Sequence, residues 1–330
     1  MQKERATVTV NESGKKIDKF IRQHIKDISF NAVSAMLRKG QIKVNGKKQK
    51  NSYVVEAGDE VEIYGQFDTN EAKEKKLTNQ HKSIAKNIQV LYMDDDVLII
   101  NKPSGLAVQG GTKVGISVDD LGDLLRFGSE NKPKLVHRID RDTSGVLIMA
   151  RNDSSARSLS KMFKNSGSIK KHYLAICNGY PNKSKGTISI PLTKLKLDGN
   201  KEVMSYSAED GDDAITHYKV LKHNQIVSLI QFDIVTGRTH QVRAHAAITG
   251  MPIVGDEKYS LDYCMSVRKL LTPAEKQSFT LQNNPPRINN EKQLFLHAES
   301  VEFELHGKKI SAKTPIPQSF HEALERLSLK

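Results

Sequence analysis

The junction between residues 137–145, HRIDRDTSG, and the unbroken apolar run Val146 to Ala150 constrains this chain more than any other segment. Five consecutive apolar residues behind Thr143, Ser144 and Gly145 read as a short buried strand that follows a turn. A turn carrying His137, Arg138, Asp140, Arg141 and Asp142 is thereby pinned to a core. Nearby guanidiniums favour the charged form of a carboxylate, which makes Asp140 the first candidate for a reactive group. Asp142 reads instead as a turn residue whose carboxylate caps backbone amides.

At 330 residues the chain is long enough for about two domains. Residues 1–65 read as a small module. Ile17, Phe20 and Ile21 mark one helical face and Val33, Met36 and Leu37 a second. Gly40 then stops the helix, QIKVNG forms a short strand into an Asn45-Gly46 turn, and AGDEVEIYG supplies another strand. Residues 66–87 are polar and without apolar period, so they read as a charged linker. Residues 88–330 form the larger domain. There IQVLYMDDDVLIINKPSG reads as two strands joined at Asp94 to Asp96, Leu121 to Phe127 as a short helix, and Asn152-Asp153 as the cap of a helix through Leu159 and Met162. Strands follow at Tyr173 to Cys177 and at Ile226 to Val235. Strands and helices mix without βαβ alternation, so the expected class is α+β, with a mixed or antiparallel sheet.

Composition narrows the partners. Lys and Arg number 51 against 38 Asp and Glu, a net charge of +13, which favours a polyanion such as nucleic acid or an anionic membrane surface. No run approaches the ~18 apolar residues of a spanning helix, and the start MQKERATVTVNESG lacks the apolar middle of a secretory signal. A cytoplasmic protein is expected. Cys177 and Cys264 suit neither a disulfide framework nor a zinc site, and read as reduced structural thiols. In the small module, Arg38, Lys39, Lys43, Lys47, Lys48 and Lys50 cluster around the second helix end and the hairpin. They can meet phosphates as one patch or form a solvated face.

A second dense segment, TGRTHQVRAHAAITG at 236–250, follows a strand-like run. If Thr239 opens a helix, His240 and Arg243 share one face, and Gln241 and His245 another. Arg243 then becomes a candidate partner for Asp140, since an arginine holds a carboxylate or phosphate in bidentate geometry. Tyr173 opens the strand in KKHYLAICNG, where its phenol can reach a pocket and its ring can stack on a planar ligand. His137, His240 and His245 read as structural histidines. The motifs HEXXH, CXXC, GXSXG and GXXXXGK are absent, which argues against zinc hydrolysis, serine-ester chemistry and nucleotide triphosphate use. What remains is cofactor-free carboxylate chemistry on a basic scaffold, with a nucleotide within RNA as the expected substrate.

The segments INKPSGLAVQGG, VHRIDRDTSGVLIMAR, KKHYLAICNG, VTGRTHQVRAHAAITGMPIVGDEKYS and LFLHAESVEF occur in this order. Together they resemble the pseudouridine synthases of the bacterial ribosomal large-subunit type, most closely the synthase C branch. SGKKIDKFIRQ, MLRKGQIKVNGKK and VEAGDEVEIY resemble the RNA-binding domain named after small-subunit ribosomal protein S four. The resemblance implies a pseudouridine synthase catalytic domain behind a small α+β RNA-binding domain. It implies that Asp140 is the essential carboxylate, Arg243 its partner, Tyr173 a stacking residue or base, and Arg138 the side chain that displaces or holds a flipped nucleotide. Arg238, Lys16, Arg38, Lys39, Lys43 and Lys47 are expected to bind RNA. The implied partner is 23S ribosomal RNA or an assembling large subunit, with no cofactor, no metal, no membrane and no obligatory protein partner, and a monomer is expected. Ile139, Val242 and Ser260 depart from the family's commoner residues without removing a functional group. Two other readings stay open: a non-catalytic ribosome-assembly factor, and a phosphodiesterase built on the Asp, His and Arg residues.

Overall fold

The computed structural model describes residues 3–25, 28, 30–64, 77–111, 115–197, 201–271 and 293–329, and the chain divides into two compact units between Leu77 and Thr78. In the first unit, α1 (Ile17–His24) and α2 (Phe30–Lys39) cover a four-stranded sheet of β1 (Lys3–Thr7), β2 (Ile42–Val44), β3 (Lys47–Lys48) and β4 (Glu60–Tyr64), in the order β1-β4-β2-β3. Apolar spacing sets the helices: Ile17, Phe20 and Ile21 are buried along α1, and Val33 and Leu37 along α2. Gly40 ends α2 at φ 72°, and Asn45 and Gly46, at φ 49° and 74°, turn β2 back into β3. Strand β1 gave no sequence signal because it is a charged edge strand, with Arg5 paired to Glu62 of β4 at 3.0 Å.

The second unit opens inside the segment read as linker. Residues 65–76 lie outside the described residues, but Asn79–Lys86 is a helix, α3, started by Thr78, whose hydroxyl accepts from the His81 amide. Only Ile84 and Ala85 pack against the core, too few to write an apolar period into so short a helix. After α3 come β5 (Gln89–Met93), β6 (Val97–Lys102), β7 (Lys134–Leu135), β8 (Ser144–Ala150), α4 (Asp153–Lys164) and β9 (Lys170–Asn178). β10 (Lys185–Ser189), β11 (Leu192–Leu197), β12 (Lys201–Tyr206), β13 (Ile215–His223) and β14 (Val227–Ile234) follow, then α5 (Gln241–Ile248) and α6 (Leu261–Arg268). β15 (Leu296–Leu305), β16 (Lys308–Lys313) and a last helix, α7 (Gln318–Arg326), close the chain.

One ten-stranded sheet dominates, in the order β10-β13-β14-β9-β15-β8-β6-β5, with β16 on β15 and β7 on β8; β11 and β12 form a separate hairpin. The β15–β8 pairing is parallel amid antiparallel neighbours, so the class is α+β with a mixed sheet. Strand β8 is buried along its whole length, as its composition required. Its second residue is Gly145, φ 114°, where a Cβ would stand 2.1 Å from the Ala298 carbonyl oxygen of β15. Only glycine allows the two backbones to approach so closely. The helix expected at 121–127 is instead a single 3-10 turn, Asp119–Leu121, followed by turns that end with Phe127 at φ 44°. Gly122 weakens helix propensity there, and burying Leu121 and Leu125 requires no more than these turns.

Candidate active site

Asp140 lies in the loop between β7 and β8, with 18% of its side chain exposed. The loop is fixed from below by Lys102, the last residue of β6. Its fully buried Nζ donates to the carbonyls of Pro103, Leu106 and Arg141 at 2.9, 2.7 and 2.9 Å. Burial pulls its pKa down to about 7, while Asp142 and Asp140 act to raise it. Three carbonyl acceptors suit an ammonium, which carries three donors. Lys102 thus ties the Pro-Ser-Gly turn to the residue that follows Asp140. Thr143 N–H closes the loop onto the Asp140 carbonyl at 3.2 Å.

Arg243, on the first turn of α5, supplies the partner that the sequence suggested: its Nη1 donates to Asp140 Oδ2 at 2.9 Å. The rest of the guanidinium is engaged elsewhere. Nε and Nη2 donate to the two carboxylate oxygens of Asp256 at 2.7 and 2.8 Å, a bidentate pair with a fully buried side chain. Asp256 is itself held by the amides of Lys258 and Tyr259, both at 3.0 Å. Burial works against the charge of Arg243, but Asp256 and then Asp140 raise its pKa above the ordinary arginine value. It is a permanent cation.

The helix does not open at Thr239. His240 stands just before α5 in the left-handed region, φ 52°, and the Gln241 carboxamide oxygen reaches back to accept from Thr236 Oγ1 at 2.7 Å and from the Arg238 amide at 3.0 Å. That reach-back postpones the first turn and aims His240 at Asp140. The Tyr259 hydroxyl accepts from the Met204 amide at 2.9 Å, so its own proton goes to His240 Nδ1 at 2.8 Å. His240 Nε2–H then faces Asp140 Oδ1 across 3.6 Å, too far for a hydrogen bond. Burial pulls the His240 pKa down to about 4 against the opposing effect of Asp140. The ring is neutral near pH 7, and Asp140 Oδ1 is left open.

Two adjoining hollows meet at Asp140. One, of about 310 Å³, is lined by His137, Arg138, Asp140, Phe163, Lys171, Tyr173, Arg238 and Arg243 among others. The other, about 670 Å³, is shared by Arg138, Asp140, His240 and Arg243 with Gln109, Gly110 and Lys258. Arg138 lines both. Tyr173 comes from β9, and burial, reinforced by Asp140, pushes its phenol well above the ordinary tyrosine pKa. Near neutral pH the phenol therefore holds its proton and can donate or stack. Lys171, two residues earlier on the same strand face, stands 5.9 Å from the Phe163 ring. Burial lowers its pKa to about 8. Among the described residues neither Arg138 nor Lys171 has a hydrogen-bond or ion-pair partner.

The structure therefore brings Asp140, Arg243, Tyr173, Arg138 and Arg238 to one cavity. Arg238 partly turns away: its Nε donates to the Asp213 carbonyl at 2.9 Å, and Nη1 lies 3.7 Å from Asp212. Lys16, Arg38, Lys39, Lys43 and Lys47 belong to the first unit, where all but Lys43 are exposed; Lys43 Nζ lies 5.6 Å from the Tyr64 ring centre. Asp142 departs from its expected role: its carboxylate accepts from Arg141 Nε at 3.0 Å rather than from backbone amides. Arg141, adjacent in sequence, is thereby drawn away from Asp140. His137 and His245 are structural. His137 Nε2 accepts from the Ile148 amide at 2.8 Å and its ring stacks on Phe163, while buried His245 bridges Thr216 and the Ile190 carbonyl. Ser260, one departure from the family pattern, caps α6. Cys177 and Cys264 are free and buried.

Sequence reasoning missed Lys102, Lys171, Asp256 and Tyr259. All four stand inside the quoted segments, but burial of a lysine or a second carboxylate for Arg243 leaves no mark in spacing.

Comparison with known proteins places the site in context. Residues 96–247 match the RNA pseudouridylate synthase family and residues 15–61 match the S4 domain family. The chain is 34% identical over 323 residues to the ribosomal large subunit pseudouridine synthase C of Rickettsia bellii, covering 95% of this chain and 99% of that one. It is 33% identical over 323 residues to the protein of the same name from Escherichia coli strain K12, covering 97% and 95%. Among solved structures, Human RNA Pseudouridylate Synthase Domain Containing 4 superposes with a TM-score of 0.57 at 26% identity, covering 76% of this chain and 95% of that one.

Proposed function

This chain belongs to the RNA pseudouridine synthase family, and from that premise we propose that it isomerises specific uridines of 23S ribosomal RNA, free or in an assembling large subunit, through Asp140. The observation that carries the assignment is the state of the Asp140 carboxylate. Oδ2 is fixed by Arg243, which Asp256 fixes in turn, while Oδ1 is open at the meeting point of two hollows. A carboxylate held on one side and free on the other is preorganised for a substrate.

A uridine reaches this depth only after leaving its stack, at a cost of a few kcal/mol. Arg138, exposed and without a partner among the described residues, is the side chain to occupy the gap. The base enters the smaller hollow against Tyr173, and its phosphate meets Lys171 and Arg238. Asp140 Oδ1 faces the ribose. The bond from C1′ to N1 breaks, the base turns within the cavity, and C1′ rejoins through C5. The proton on C5 leaves and N1 gains one, so no atom is lost. Tyr173 meets the base with its phenolic proton in place and stacks on it, since burial raises the phenol above its ordinary range.

The first unit, matching the S4 domain, presents Arg38, Lys39, Lys47, Lys48 and Lys50 at the end of α2 and in the β2–β3 hairpin, where phosphates can be neutralised as a group. On this reading the chain works as a monomer in the cytoplasm, where ribosomal RNA is made. No helix among the described residues is long and apolar enough to cross a membrane. The test is incubation of the full chain with an unmodified transcript of large-subunit ribosomal RNA, with pseudouridines mapped chemically. Discrete new pseudouridines in RNA of unchanged length are expected, with a chelator present. Strand cleavage, or binding with no pseudouridine formed, would overturn the assignment.

A further inference from the structure

Helix α4 carries a second basic feature that the isomerase reading leaves without a role. Arg157, Lys161 and Lys164 are exposed and recur at i, i+4 and i+7, which puts them in one stripe along the helix. They line a shallow groove of about 430 Å³ with Asp153, Ala156 and Ser160. Among the described residues none of the three has a hydrogen bond or close salt bridge; the groove's one carboxylate, Asp153, is bonded to Lys134 and feels Arg157 only through space. The C-terminal end of the same helix reaches the Asp140 cavity. Phe163, next to Lys164 in sequence, lines that cavity, stacks on His137 at 4.2 Å and stands 5.9 Å from Lys171 Nζ.

We propose that the α4 groove binds the RNA backbone flanking the modified uridine, so that phosphates follow Lys171 out of the cavity and continue along Lys164, Lys161 and Arg157. The proposal rests on the isomerase reading and adds the path of the strand outside the pocket. Charge complementarity favours RNA: three cations in one stripe, set against a single carboxylate that already holds Lys134, match a chain of phosphates. Ala156 is the only apolar lining residue, which leaves a protein partner little to bury.

The test compares the full-length variant R157E/K161E/K164E with K183E/K185E/K219E, which makes the same change of net charge at exposed positions around β10 and β13. The probe is an unmodified transcript of large-subunit ribosomal RNA, with binding measured across salt concentrations. The α4 variant is expected to bind about tenfold or more weakly at ~100 mM salt and to flatten the dependence of log K on log salt by about 2, as loss of three single-strand phosphate contacts requires. KM should rise with kcat unchanged, and the control variant should shift binding by less than about threefold. Equal losses in the two variants, or an unchanged salt slope, would overturn the proposal, as would a loss seen only with a protein partner. If the wild-type protein forms no pseudouridine, the isomerase reading fails, while the binding comparison still decides the groove.

Discussion

Lys171 and Tyr173 share one strand face and one cavity, and burial moves them in opposite senses. Desolvation disfavours whichever form is charged, so it lowers the lysine to about 8 and raises the phenol far above its ordinary range. Around neutral pH the cavity therefore holds a cation for phosphate and a neutral ring for the base. The His240 pKa of about 4 keeps that residue from titrating above pH 6. Since Lys171 is cationic below its pKa and neutral above it, phosphate binding should weaken as pH rises through about 8. We expect KM for the RNA transcript to climb several-fold between pH 7 and 9, and Lys171→Met to start from a higher KM that no longer responds to pH in that window. A variant with the wild-type pH response would remove Lys171 from the phosphate site. Lysine is a point charge on a flexible stem, and nothing in KKHYLAICNG marks it as buried.

Among the elements, β8 decides where Asp140 stands. Its buried run hangs the charged loop from the centre of the sheet, and Gly145 sets how closely β15 passes. Gly145→Ala places a methyl group in the path of the Ala298 backbone and should cost at least ~3 kcal/mol in denaturant unfolding. A variant of wild-type stability would show that the two strands are not so tightly apposed. This strand, the α4 cap at Asn152 and the face of α1 were legible because each rests on a local rule: an apolar run, a side chain that accepts the Ser155 amide, a helical period. Helix α3 and edge strand β1 were illegible because they bury little. The Arg243–Asp140 contact was legible as a candidate, since both segments were dense in charge. Its anchoring by Asp256 was not, because a pairing across 13 residues and a turn is decided by tertiary packing.

At the scale of the whole molecule, a net charge of +13 is distributed over two units that each present basic residues. The first unit's patch should contribute affinity without touching the chemistry. Replacing Arg38, Lys39 and Lys47 with Glu is expected to weaken RNA binding, reduce the salt slope by about 2 and leave kcat unchanged. An unchanged slope would assign those side chains to a solvated face. The catalytic unit's task is narrower, and all of it turns on one carboxylate. The most direct measurement is therefore pseudouridine formation by Asp140→Asn on an unmodified transcript of large-subunit ribosomal RNA, with RNA affinity measured alongside. The amide preserves shape and can still accept from Arg243, so the protein should fold and bind RNA within about threefold of wild type. No pseudouridine should form above background. Formation at the wild-type rate and positions would contradict the account.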